Sequence, residues 1–263
     1  MTITANLVES ARLRHVGSFV AELVLIVAGI LIALAIDGWV SDRNDREQEM
    51  TYLELLARDV AELSQQAEEQ IVFEKDKAAV AARVLEILGE PNPAAYRDEL
   101  GLLLTALQPR RTVSLISATY DQMVSSGHLQ LIRNRDLRDK IVRHFAQMER
   151  YERIFANNNQ DLIDDIYGPF LLATGITPRF VRASSVTVIQ RGDAIMAEHL
   201  GPDYTSPPDE VLGRSADADS WNMIRRNVIL RLRVASVGQA LAEGIKADMQ
   251  DIAEELEREL AAR

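Results

Sequence analysis

The chain has four histidines, His15, His128, His144 and His199, and none has a second histidine or a glutamate at the spacing that would set two metal ligands on one helical turn. Ser125-Ser126-Gly127-His128 puts hydroxyls beside an imidazole, but sequence neighbours seldom form a nucleophile and its base. Gly127 suits the left-handed residue after a helix, so this stretch reads as a helix end. Asp161, Asp164 and Asp165 cluster at helical spacing; they could meet a divalent cation, but a solvated helix face is the favoured reading. Arg110-Arg111, Arg231 and Arg233 read as surface or intra-bundle ion pairs. With no cysteine, disulfides and thiol catalysis are excluded, and no phosphate-binding glycine loop or dinucleotide fingerprint occurs. We therefore expect no catalytic, cofactor-binding or metal-binding residues, and the chain does not read as an enzyme.

The titratable residue with the most unusual surroundings is Glu22. It lies in Val16 to Val40, and the fourteen residues Leu23 to Ile36 that follow it carry no charge. A helix over 16–40 would be about 37 Å long, enough to cross a hydrocarbon core of about 30 Å. We read it as a transmembrane helix. The rivals are a cleaved signal peptide, with Ala33-Leu34-Ala35 as its small-x-small site, and a buried core helix; Glu22 argues against the signal peptide. At about 100° per residue Ser18, Glu22, Gly29 and Ala33 share one face, which puts the acid on a seam with a small-xxx-small pair. A carboxylate in hydrocarbon costs several kcal/mol, so the seam is expected to pack on a membrane partner, to let Glu22 reach the interface, or to move protons. Trp39 suits an interfacial anchor.

The elements around this segment are helical by pattern. Only 5% of residues are aromatic, and Ala, Leu, Glu and Arg abound. Residues 1–15 form a short lead, placed in the cytoplasm although lysine and arginine are nearly balanced across the span. Residues 41–263 form an extracytoplasmic helical domain. Leu53, Leu56, Val60, Leu63, Ala67 and Ile71, then Val80, Val84 and Ile87, predict one helix from Ser41 to the Gly89–Pro93 break, with Gly38 as the place for a bend from the span. Further helices are predicted over Ala94–Leu107, Ser114–Ser126 and Arg135–Leu172, the last interrupted by Asn157, Asn158 and Asn159, one of which should face inward. Residues 174–218 hold four of the eight prolines and read as a loop-rich insert whose one strand-like piece is Val186–Gln190. A last helix starts at Asp219, capped by Asp219 or Ser220. The expected fold class is all-α: one N-terminal transmembrane helix, then an antiparallel bundle of long helices. A net charge of -11 and a pI near 4.9 argue against nucleic-acid and anionic-lipid surfaces.

The run from Glu22 to Ile36 ending in Trp39, with Glu49-Met-Thr-Tyr-Leu53, resembles a family of bacterial single-pass membrane proteins of unknown function. Ser117-Ala-Thr-Tyr120, Ser125 through Ile132, Asn134 through Ile141, and Arg225 through Leu232 resemble its central and closing segments. The chain departs from it at Ala21 and at Asp37-Gly38, where a glycine and an Asn-Asn pair are expected. The resemblance implies an amino-terminal anchor, a mostly helical domain and no established activity; the expected location is a bacterial inner membrane with the bulk of the chain in the periplasm. Two function classes follow: a membrane-anchored scaffold or accessory subunit that associates with itself or with a larger membrane protein complex, and an extracytoplasmic ligand-binding or sensor module acting through a membrane partner. Membrane lipid is an expected partner in both, and cofactors are expected in neither.

Overall fold

A computed structural model describes residues 3–176, 187–201, 210–214 and 219–262, with side chains from residue 23 onward apart from 187–190, 192–193, 197 and 210. The described chain is helical, and no strand occurs among the described residues. Helix α1 runs unbroken from Ile3 to Ile87. No proline interrupts the first 90 residues, and Gly38 introduces no break, so the apolar segment and the long amphipathic segment are one rod. At about 1.5 Å per residue, the rod is roughly 125 Å long. It ends where Gly89 and Pro91 remove helix propensity and a backbone donor.

A 3-10 turn, Pro93–Tyr96, leads into α2 (Arg97–Ala106). Helix α3 spans Ala118–Ser126. It starts four residues later than the sequence pattern predicts, because residues 113–117 alternate in burial: Val113, Leu115 and Ser117 are buried while Ser114 and Ile116 are exposed. That period of two marks an extended strip laid against α1. Ser117 then caps α3 by accepting a hydrogen bond from Tyr120 N, and Gly127 closes the helix at φ 75°. Helix α4 (Arg135–Asn158) continues through a π-helical stretch, Asn159–Tyr167, into α5 (Gly168–Ala173).

Thr187–Leu200 forms helix α6, which corrects the strand-like reading of 187–190 and reduces the loop content of the insert; Val186 and Pro207-Pro208 lie outside the described residues. The β-branched run Thr187-Val188-Ile189 is overridden by the helix formers that follow it. Helix α7 spans Asp219–Ala261 as expected, but the Ser220 hydroxyl is buried without a hydrogen-bond partner, so it does not act as the cap.

Helices α1 and α7 form the main contact of the fold. Lys246 meets Glu68 at 2.7 Å, Arg231 and Gly238 meet Glu74, and Arg225 donates to Leu88 O, so one chain number falls as the other rises. Helix α4 meets α7 in the same sense: Asn134 with Glu259, Lys140 with Asp251 and Glu255, His144 with Met249. Two apolar clusters result. One gathers Leu53–Ile71, Met123, Ile132, Leu137–Phe155 and Ala242–Leu256, and the other Ala81–Leu88, α2, Tyr167–Leu171 and Trp221–Val228.

Candidate functional site

The apolar segment of α1 is bare. From Leu23 to Val40 every residue is exposed, the large side chains ranging from 43% at Val40 to 75% at Leu25, and Trp39 at the far end is 63% exposed. Within the predicted seam, a Cβ at Gly29 would meet nothing within 4 Å, and Ala33, one turn on, is exposed. Nothing from the described remainder of the chain covers that face. The side chains of Ser18 and Glu22 lie outside the described residues. One helix among the described residues is long and apolar enough to cross a membrane.

Just past this segment, the turn between α3 and α4 grips α1. Glu49 is fully buried and accepts a hydrogen bond from Arg133 N at 2.7 Å, while the Arg133 guanidinium lies 3.7 Å from the same carboxylate and pairs with Asp42. The Tyr52 hydroxyl hydrogen-bonds His128 Nδ1 at 2.7 Å. Further along, Asp59 receives Ser117 Oγ at 2.6 Å and Thr119 N at 3.1 Å. The readable sign of Glu49 was its position four residues before Leu53, where the apolar stripe would place another apolar side chain.

Between the two apolar clusters lies a polar layer. Gln70, Glu74 and Lys77 from α1 face Arg231 from α7, and all four are buried. Gln70 Nε2 donates to Glu74 Oε1 at 2.8 Å, and Arg231 Nη1 stands 3.7 Å from Glu74 Oε2, an ion pair beyond hydrogen-bond distance. Burial pushes the Glu74 carboxyl above its usual range despite the Arg231 charge beside it, and burial lowers Arg231 despite Glu74. The layer also holds the end of α2: Arg231 Nε donates to Leu107 O at 2.9 Å, Lys77 Nζ to Ala106 O at 3.0 Å and the Tyr167 hydroxyl to Leu104 O at 2.8 Å. Cations at a helix C-terminus complement its dipole. The sequence reading paired Arg231 with an acid but passed over Gln70, Glu74 and Lys77, whose signal is the gap in the α1 stripe between Ile71 and Val80.

The remaining candidates are not drawn together into one site among the described residues. Ser125 and Ser126 hydroxyls both donate to Gln122 O, away from His128. His144 is buried with Nε2 3.3 Å from Met249 Sδ and its ring edge-on to Phe145; burial depresses its pKa to about 4. His199 is exposed at the end of α6, and His15 has no described side chain. Arg110 pairs with Asp164 at 2.7 Å, Gln160 donates to Asp165 at 3.0 Å, and Arg111 pairs with Glu69. Asn159 is the inward member of its trio and donates to Arg111 O at 3.0 Å. No group of three metal-ligating side chains occurs among the described residues. The clefts among those residues open to solvent, one of about 290 Å³ between Gln108 and Leu172 and another of about 420 Å³ between Asn44 and Gln122.

Compared with protein-family models, curated proteins and solved structures, the chain matches none.

Proposed function

We propose that this protein is a membrane-anchored helical scaffold or accessory subunit, held by a single transmembrane helix over 16–40 and associating with itself or with a larger membrane protein complex. The observation that carries the reading is the bare apolar length of α1, exposed on every side yet continuous with the rod that organises the rest of the chain. A soluble chain would leave this surface in water at a cost of about 25 cal/mol per Å² of apolar area. The opposed packing of α1, α4 and α7 supports an antiparallel bundle beside the membrane. In our reading the bundle is periplasmic, the first residues are cytoplasmic and the membrane is a bacterial inner membrane.

Association is assigned to the face of Ser18, Glu22, Gly29 and Ala33, where small residues let a second helix approach closely and a partner can satisfy the acid. The test is native mass measurement after gentle detergent extraction. A fixed stoichiometry lost in Glu22→Ala or Gly29→Leu supports the seam; the same stoichiometry in both variants rejects it.

A further inference from the structure

The polar layer between the two apolar clusters is a poor device for stability. Desolvating two charges is seldom repaid by their attraction unless hydrogen bonds satisfy every remaining donor and acceptor. Here Gln70 Oε1, Glu74 Oε2 and both terminal nitrogens of Arg231 have no hydrogen-bond partner, although Arg231 is only 1% exposed. A layer of leucines would fill the same space without those orphaned groups.

The layer does distinguish one alignment of α1 and α7 from its neighbours. Both helices present long stripes of Leu, Val, Ile and Ala, and such stripes still meet apolar side chains when one helix slides by a turn. That slide forces the Glu74 side chain out of its place. It lies over Gly238, where a Cβ would come within 2.8 Å of Oε1 and 2.9 Å of the carboxyl carbon. Gly238 is the one glycine among the buried residues of α7, and Arg231 the one charged residue among them. One turn in either direction would set Glu74 against Val234 or Ala242, whose side chains would occupy that space, and would draw Arg231 from both Glu74 and Leu107 O.

We propose that Glu74, Arg231 and the notch at Gly238 form a register lock that sets how far α1 extends from the helical domain. The lock lies about 51 Å along the rod from Val40, at about 1.5 Å per residue, so a slip of one turn would move the apolar segment by about 5 Å relative to α7. Because Arg231 also holds the end of α2, the lock ties α1, α2 and α7 at one level. The proposal does not depend on whether α1 enters a membrane.

The absence of native cysteines makes the test direct. Nitroxide labels on the full-length chain in detergent, at Glu62→Cys on α1 and Arg233→Cys on α7, would be offset along the helix axis by about 25 Å, and their separation is read by pulsed dipolar spectroscopy. With the native layer a single distance is expected. Introducing Glu74→Leu with Arg231→Leu, at unchanged helicity by circular dichroism, should add or substitute a distance shifted by about 5 Å. A milder pair, Glu74→Gln with Arg231→Met, should produce the same kind of shift, whereas Gly238→Ala, which keeps both charges and meets Ala242 in the neighbouring register, should not. An unchanged single distance in either folded pair variant overturns the lock; if the double leucine variant fails to fold, Glu74→Gln with Arg231→Met decides by the same measurement.

Discussion

His144 shows how one buried side chain ties folding to pH. Its ring lies between Phe145 and Met249, with Lys140 and Asp251 the nearest charges acting on it, and burial holds its pKa at about 4. An unfolded chain would take up that proton near pH 6.5. The contribution to stability is therefore complete above about 6.5, declines as pH falls toward 4 and is flat below; over that window it amounts to about 3 kcal/mol at 1.36 kcal/mol per pKa unit. Thermal unfolding followed by circular dichroism at pH 7.5, 5.5 and 4.5 should show a steeper loss for the native chain than for His144→Leu; parallel curves would mean that the ring is already protonated or exposed. At Glu49 the issue is an orphaned donor. Glu49→Ala strands Arg133 N and leaves the Arg133 guanidinium to Asp42 alone, at an expected cost of about 2–3 kcal/mol, whereas Glu49→Gln keeps an acceptor and should cost less. Denaturant midpoints for the two variants measure the difference. Neither role follows from residue type. His144 follows Leu137 and Ile141 along the apolar face, and Glu49 precedes Leu53 by one turn, so both positions were readable as inward-facing. Their partners, Met249 and Arg133, are remote in sequence and were not.

Among the elements, α2 depends most on others. Its ten residues are too few to hold a helix alone in water, and its last carbonyls are taken by Lys77, Tyr167 and Arg231 from three different segments. Removing Arg231 alone should be worse than removing the ion pair. Arg231→Met leaves Glu74 buried without its ion-pair partner, with only the Lys77 charge acting on it, and is expected to cost about 3–5 kcal/mol, while Glu74→Leu with Arg231→Met should recover a large part of it. A double-mutant cycle on unfolding free energies checks this; a double variant no better than Arg231→Met would show that Leu107 O, rather than Glu74, is the partner that matters. The rods themselves were legible because each carries a 3.6-residue stripe over many turns, and the N-cap-to-Gly127 logic located the end of α3. Its start was misplaced because Val113-Ser114-Leu115-Ile116-Ser117 alternates at a period of two, too short a run to stand out beside a helix. The join of the two halves of α1 was only half legible: Gly38 reads as the place for a bend, but the helix runs through it unbroken because one glycine is a weak breaker. The polar layer was missed because Gln70, Glu74 and Lys77 resemble any hydrophilic interval of a long surface helix until α7 is laid across them.

At the scale of the whole molecule, anchoring requires that the bare length of α1 prefer lipid, and the free energy of that preference can be bounded. Ten of the fourteen residues from Leu23 to Ile36 are Leu, Ile or Val. At about -0.3 to -0.6 kcal/mol each near the centre of a span, they favour insertion by roughly 3–6 kcal/mol, while each arginine near the centre costs about 2.5–3.5 kcal/mol. One arginine is therefore close to break-even, and two should reverse the preference. Membranes carrying the native chain are expected to retain it through alkaline carbonate extraction, with the released and retained fractions compared by intact mass against the full 29.4 kDa. Ile30→Arg with Leu34→Arg, on successive turns of one face, should move most of the chain to the soluble fraction, and Leu34→Arg alone should divide it. A shorter released species would identify a cleaved leader, and an uncleaved chain released by carbonate would place the apolar segment against a protein surface instead of lipid. Because α1 is one rod, the double arginine variant should leave the two apolar clusters intact: its helicity and its His144-dependent pH response should match those of the native chain, which separates loss of the anchor from loss of the fold.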